Sequence, residues 1–192
     1  MTPLLALEIA ANATLVSAVI MAARNQPISW VLGVVGCFLF GFVFYFAKLY
    51  ADVTLQVFFI VTNIIGWLNW RYGGAQQTVL PVTRVKPIWH LILYFPFAIL
   101  TAWAYSELLR RFTDASYPLI DSFILTFSVT AQLLLMNRKL ETWVFWIIVN
   151  SIAVPLYFVK DLYVTSFVYS LFWLNAFYGF SVWRGELKKA AA

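Results

Sequence analysis

Charged residues cut this chain into apolar runs long enough to cross a lipid bilayer. Residues 25–47, 53–70, 87–106, 142–159 and 162–183 contain no Lys, Arg, Asp or Glu. Residues 4–23 and 118–137 each contain a single charge, Glu8 and Asp121. A crossing takes about 20 residues at ~1.5 Å each. Backbone groups in hydrocarbon must be satisfied internally, so each run predicts a helix. The alternating ten-residue segments of a membrane barrel are absent. Seven transmembrane helices in an all-α integral membrane protein are expected. The first run has no basic segment before it, and Arg24 follows it, so it reads as a retained helix and not a cleaved signal. Composition agrees: 63% of residues are hydrophobic and 11% charged, against about half and a quarter in soluble domains. One cysteine, Cys37, and one histidine, His90, exclude a disulfide framework and a multi-histidine metal site. No metal or cofactor is expected. No nucleophile–base pair is legible, so an enzyme finds no support.

The thirteen basic residues set the orientation. Lys48, Arg110, Arg111 and Lys160 lie on one side, diluted by Asp52, Glu107, Asp114 and Asp161. Arg24, Arg71, Arg84, Lys86, Arg138, Lys139, Arg184, Lys188 and Lys189 lie on the other. That bias places the N-terminus outside and the C-terminus in the cytoplasm. The basic pI of about 9.4 then follows from topology and needs no nucleic-acid partner.

Shifting the chain by 113 residues aligns the first three helices with the last three without a gap. Trp30 meets Trp143, Leu49-Tyr50 meets Leu162-Tyr163, Gly66 meets Gly179, and Trp70-Arg71 meets Trp183-Arg184. Glu8 meets Asp121, a possible polar pair at the outer helix ends. The expected organisation is a first three-helix repeat over residues 1–72, a cytoplasmic loop plus linking helix over 73–113, and a second three-helix repeat with a cytoplasmic tail over 114–192. With one helix between them the two triplets run in the same direction, a parallel duplication. Such duplications occur in transporters with a site near the midplane.

Polar residues in lipid face the bundle interior, where they mark pathways or helix contacts. Gln56, Asn63 and Trp67 share one face of the third helix, and Trp143, Trp146, Asn150 and Tyr157 recur along the sixth. Asn175 lies mid-span in the seventh. An aromatic wall with a few amides suits a flat ring bearing hydroxyl groups. Interhelical hydrogen bonding is the competing use of the asparagines. Trp70 and Trp183, near helix ends, read as interfacial belt residues. Gly33, Gly36 and Gly41 predict close packing of the second helix, and Pro96 and Pro155 predict kinks. No Lys or Arg enters a span, so nothing there would neutralise a phosphate.

Lys48-Leu49-Tyr50-Ala51, Leu55 to Phe59, Asn63 and Gly66-Trp67 to Trp70 resemble the PnuC family of bacterial vitamin transporters. So do Arg138-Lys139, Glu141, Trp143, Trp146 and Asn150, then Leu162-Tyr163 and Tyr169. The resemblance implies a full-length SWEET-like arrangement of three plus one plus three helices, a homotrimer, and the bacterial inner membrane. It also implies nicotinamide riboside as cargo, with thiamine or riboflavin in other branches. Transport would be facilitated diffusion, with a separate cytoplasmic kinase trapping the product. By the same likeness Trp143, Trp146 and Asn150 would hold the ring and its substituents, with Gln56 and Asn63 contributing from the other repeat. A receptor or scaffold that binds the ring without carrying it is the competing reading.

Overall fold

A computed structural model describes residues 3–46, 50–75, 79–86, 89–112, 117–159 and 163–191. Lys48, Leu49, Asp114, Lys160, Asp161 and Leu162 lie outside the described residues, as do the side chains of Asp52 and His90. Among the described residues the chain forms seven helices: α1 (Pro3–Ala23), α2 (Ile28–Phe46), α3 (Tyr50–Tyr72), α4 (Trp89–Phe112), α5 (Pro118–Met136), α6 (Thr142–Val159) and α7 (Tyr163–Ala191). Each uncharged run has become one helix. By length and composition, the stretches Ala6–Ala23, Pro118–Met136 and Thr142–Val159 can cross a membrane, and Ile28–Val43 is a shorter apolar stretch. Large apolar side chains point outward in numbers no water-soluble surface carries, among them Phe97, Leu100, Trp103 and Phe112 on α4. Pro96 and Pro155 sit inside α4 and α6, each of which continues through its proline as one helix.

The chain divides into two compact units, Met1–Pro81 and Val82–Ala192. In the first, α2 packs against both α1 and α3. In the second, α4 packs on α5, α5 on α6, and α6 on α7. Glycine lets α1 and α2 approach: a Cβ on Gly36 would lie 3.6 Å from the Leu15 backbone nitrogen. Gly41 faces open space, so the expected close packing holds at Gly33, against α3, and at Gly36, against α1, and fails at Gly41.

The 113-residue shift is visible in the hydrogen bonds. Between α1 and α2 the Asn25 N–H donates to Ala22 O (3.0 Å) and the Gln26 N–H to Met21 O (2.9 Å). Between α5 and α6 the Arg138 N–H donates to Leu135 O (2.9 Å) and the Lys139 N–H to Leu134 O (3.0 Å). Asn25 and Arg138, the pivots of these two turns, both have positive φ, at 61° and 52°. Asparagine tolerates that region and arginine seldom occupies it, so the second turn needs support from around it.

The same shift relates two aromatic clusters. Trp30 meets Trp70 edge-on at 5.3 Å between ring centroids, and Trp143 meets Trp183 edge-on at 5.4 Å. In each, the indole of the earlier tryptophan lies against a glycine of the third helix of its repeat. A Cβ on Gly66 would overlap Trp30, and one on Gly179 would come within 2.7 Å of Trp143. Trp70 and Trp183 are 0% exposed, which corrects their reading as belt residues. Position near a helix end suggests the interface, but a glycine one turn earlier opens an internal slot that an indole fills.

Candidate functional site

The residues singled out in the sequence fall into two groups, one in each unit. In the first unit they stand on α3. Asn63 is 9% exposed, and its Nδ2 donates to Phe59 O at 2.8 Å with Cys37 Sγ at 3.9 Å. Gly33 makes room for this amide, since a Cβ there would overlap the Asn63 side chain. Gln56 is half-buried on α3. Trp67 is half-buried, and the Arg71 guanidinium lies 5.9 Å from its ring centroid. Glu8 on α1 is exposed, and its backbone carbonyl accepts a hydrogen bond from Asn12 Nδ2.

In the second unit Trp143, Trp146, Asn150 and Tyr157 descend along α6. Trp143 is 2% exposed, and its Nε1 has no hydrogen-bond partner among the described residues. Trp30 Nε1 is in the same condition. Trp146 packs against a core of Val85, Ala98, Phe127, Ala131, Leu134, Phe145 and Val149, in which Phe95 stacks on Phe145 at 4.9 Å. Asn150 is 3% exposed and donates from Nδ2 to Trp146 O at 2.9 Å. An asparagine amide has two donors and an acceptor oxygen, so this bond takes up only one donor. Tyr157 meets the ring of Tyr169 at 4.8 Å, and Asn175 is half-buried on α7. Asp121 lies in the first turn of α5, where a carboxylate favours the helix dipole.

A cavity of about 410 Å³ opens between α6 and α7, lined by Asn150, Ser151, Val154, Pro155, Ser170, Trp173 and Leu174. Its volume lies in the range that holds drug-sized ligands, roughly 300–1,000 Å³. Every lining residue is uncharged. Trp173 is held in place by its Nε1, which donates to Ser151 Oγ at 2.9 Å. Asn150 is the one expected site residue that the cavity includes. Trp173, Ser151 and Ser170 are additions. A tryptophan in the middle of an uncharged run, far from any interface, is the sequence signal that points to Trp173.

In the 113-residue register the scaffold repeats and the polar groups do not. Asn63 aligns with Ala176, Asn150 with Cys37, and Trp146 with Gly33. Each unit carries one buried asparagine, on α3 in the first and on α6 in the second.

Known proteins sharing this chain's pattern are membrane carriers. The sequence profile of the family described as "Nicotinamide mononucleotide transporter" matches residues 5–185. The chain is 24% identical over 193 residues to the nicotinamide riboside transporter PnuC of Escherichia coli (strain K12), covering 88% of this chain and 81% of that one. It is 22% identical to the nicotinamide riboside transporter PnuC of Neisseria mucosa, covering 89% and 69%. The fold is similar to the crystal structure of the vitamin B3 transporter PnuC, with a TM-score of 0.74 at 21% identity over 95% of this chain and 82% of the other.

Proposed function

Because this chain belongs to the nicotinamide mononucleotide transporter family, which includes the PnuC vitamin transporters, we propose that it imports nicotinamide riboside across the bacterial inner membrane. Import proceeds by facilitated diffusion, and cytoplasmic phosphorylation by a separate kinase keeps the product inside. The family's description speaks of a mononucleotide and the relatives' names of a riboside. One observation favours the riboside: no charged residue lines the α6–α7 cavity. A phosphate carries up to two negative charges, and burying them without a cation costs several kcal/mol or more. The cationic pyridinium of the riboside gains about 0.5–2 kcal/mol against an aromatic face such as that of a tryptophan.

In this reading Asn150 hydrogen-bonds the carboxamide or sugar hydroxyls, with Trp146, Tyr157 and Asn175 shaping the second unit's contribution. Gln56, Asn63 and Trp67 contribute from the first unit. Trp143, two turns before Asn150 on α6, lies against Gly179 and Trp183 of α7 and sets the α6–α7 spacing. Glu8 and Asp121 are the polar residues at the outer ends of their own helices. The triplets are parallel repeats in a three-plus-one-plus-three, SWEET-like arrangement, with the C-terminus cytoplasmic and three copies in the assembly. The reading is supported by family membership and by the uncharged cavity. Titration calorimetry on the purified full-length protein tests it, with nicotinamide riboside, thiamine and riboflavin as ligands. Saturable binding of nicotinamide riboside, tighter than either alternative, is expected. Tight thiamine or riboflavin binding with no heat from the riboside would reassign the cargo.

A further inference from the structure

The second unit carries a polar strap that its repeat partner lacks. Residues just before α4 lie along the α5–α6 turn in a short parallel bridge between Thr83 and Lys139. The Thr83 N–H donates to Arg138 O at 3.0 Å, and the Leu140 N–H donates to Thr83 O at 2.9 Å. Lys139 Nζ donates to Thr83 Oγ1 at 2.9 Å. Glu141 closes the arrangement. Its side chain is 8% exposed, Oε2 accepts the Val85 N–H at 3.0 Å, and Oε1 lies 3.3 Å from Arg84 Nε. The Glu141 backbone carbonyl also accepts the N–H groups of Val144 and Phe145 in the first turn of α6. One residue therefore grips the strap with its side chain and starts the helix with its main chain.

Among the described residues the first unit shows no counterpart. At the positions equivalent to Arg138, Lys139 and Glu141 stand Asn25, Gln26 and Ile28, and Ile28 is 48% exposed. Asn25 makes the same turn without a strap because asparagine tolerates the positive φ in which Arg138 has to be held. What distinguishes the second unit is that its α6 carries Trp146 and Asn150 where α2 has Gly33 and Cys37. Arg138 is buried at the strained pivot of that turn, where the bridge to Thr83 supports its backbone.

We propose that Glu141 is a positioning residue for transport: by tying the Thr83–Val85 strap to the α5–α6 turn, it fixes the first turn of α6 and so the register of Trp146 and Asn150 toward substrate. The inference rests on the transporter reading above. The bond to the Val85 N–H carries the effect more than the pair with Arg84, whose side chain is 55% exposed and solvent-screened. An unpaired buried acceptor or donor is the expensive loss.

Two variants of the full-length protein separate the terms. Glu141→Ala removes both contacts. Glu141→Gln keeps an oxygen for the Val85 N–H and gives up the charge. Hydrogen exchange over residues 82–86 and calorimetric affinity for nicotinamide riboside are measured on each, with helix content by circular dichroism confirming the fold. In Glu141→Ala, exchange of these amides is expected to quicken at least tenfold and the Kd to rise about tenfold. Glu141→Gln stays within about threefold of the unaltered protein on both. Unchanged exchange in Glu141→Ala, or fast exchange with unaltered affinity, would overturn the proposal. So would a Gln variant as impaired as the Ala variant. If the unaltered protein itself binds no nicotinamide riboside, the cargo assignment fails instead, and the affinity arm runs with whichever of thiamine or riboflavin it binds.

Discussion

Replacing Trp143 by alanine is expected to lower the stability of the protein by about 3–5 kcal/mol, the range for emptying a buried aromatic site. Trp143 fills the slot that Gly179 opens and meets Trp183 edge-on, with 2% of its surface exposed. Neither neighbour can collapse into the space, because glycine has no side chain and Trp183 is itself fully enclosed. For a chain this size each kcal/mol moves the melting temperature by about 2–4 °C, so Tm in detergent falls by roughly 10 °C. Trp143→Phe keeps an aromatic edge against Trp183 and removes the buried Nε1 that has no partner among the described residues. It is expected to lose less than half as much. A Trp143→Ala variant that melts with the unaltered protein would show that α6 and α7 are not held together at this cluster.

The second large effect falls on binding and spares stability. Asn150→Ala is expected to raise the Kd for nicotinamide riboside about a hundredfold. Two lost hydrogen bonds to a buried ligand, with the ligand's own groups left unpaired, amount to about 2–3 kcal/mol, and ~1.4 kcal/mol is a factor of ten. Asn150 lines the cavity, and its bond to Trp146 O is internal to α6. Removing that bond frees a carbonyl already engaged in the helix, so Tm should shift by only a few degrees. Calorimetry and thermal unfolding on the same sample check both halves. Loss of affinity accompanied by a collapse in Tm would assign Asn150 to packing.

The two substitutions separate what sequence could and could not convey. Helices were legible because charge is excluded from lipid: the uncharged runs mark α2, α3 and α6 to within about a turn at both ends and the starts of α4 and α7, whose C-terminal ends run on past the first charges. The repeat was legible from Trp30, Gly66 and Trp70 recurring as Trp143, Gly179 and Trp183. What those residues do was not. A tryptophan near a helix end can anchor at the interface or fill an internal slot, and only the glycine one turn before Trp70 and Trp183 decides between them. Trp173 was passed over for Asn175, two residues further on, because amides in lipid attract notice and another aromatic in a chain that is 19% aromatic does not. Glu141 stands in the sequence only as one of the residues that carry the family resemblance. Its contact with Val85 spans 56 residues, a separation at which spacing carries no signal.

The central claim is that a cavity without charge selects an unphosphorylated ring and lets it run down its own gradient. The direct measurement is uptake of radiolabelled nicotinamide riboside and nicotinamide mononucleotide into liposomes holding the purified protein, with and without imposed proton and sodium gradients and with the membrane potential clamped at zero, because the riboside is a cation. The riboside should equilibrate until its concentrations inside and outside match, at a rate indifferent to either gradient, while the mononucleotide stays out. Uptake of the mononucleotide, or accumulation of the riboside above the external concentration when a gradient is imposed, would contradict the account.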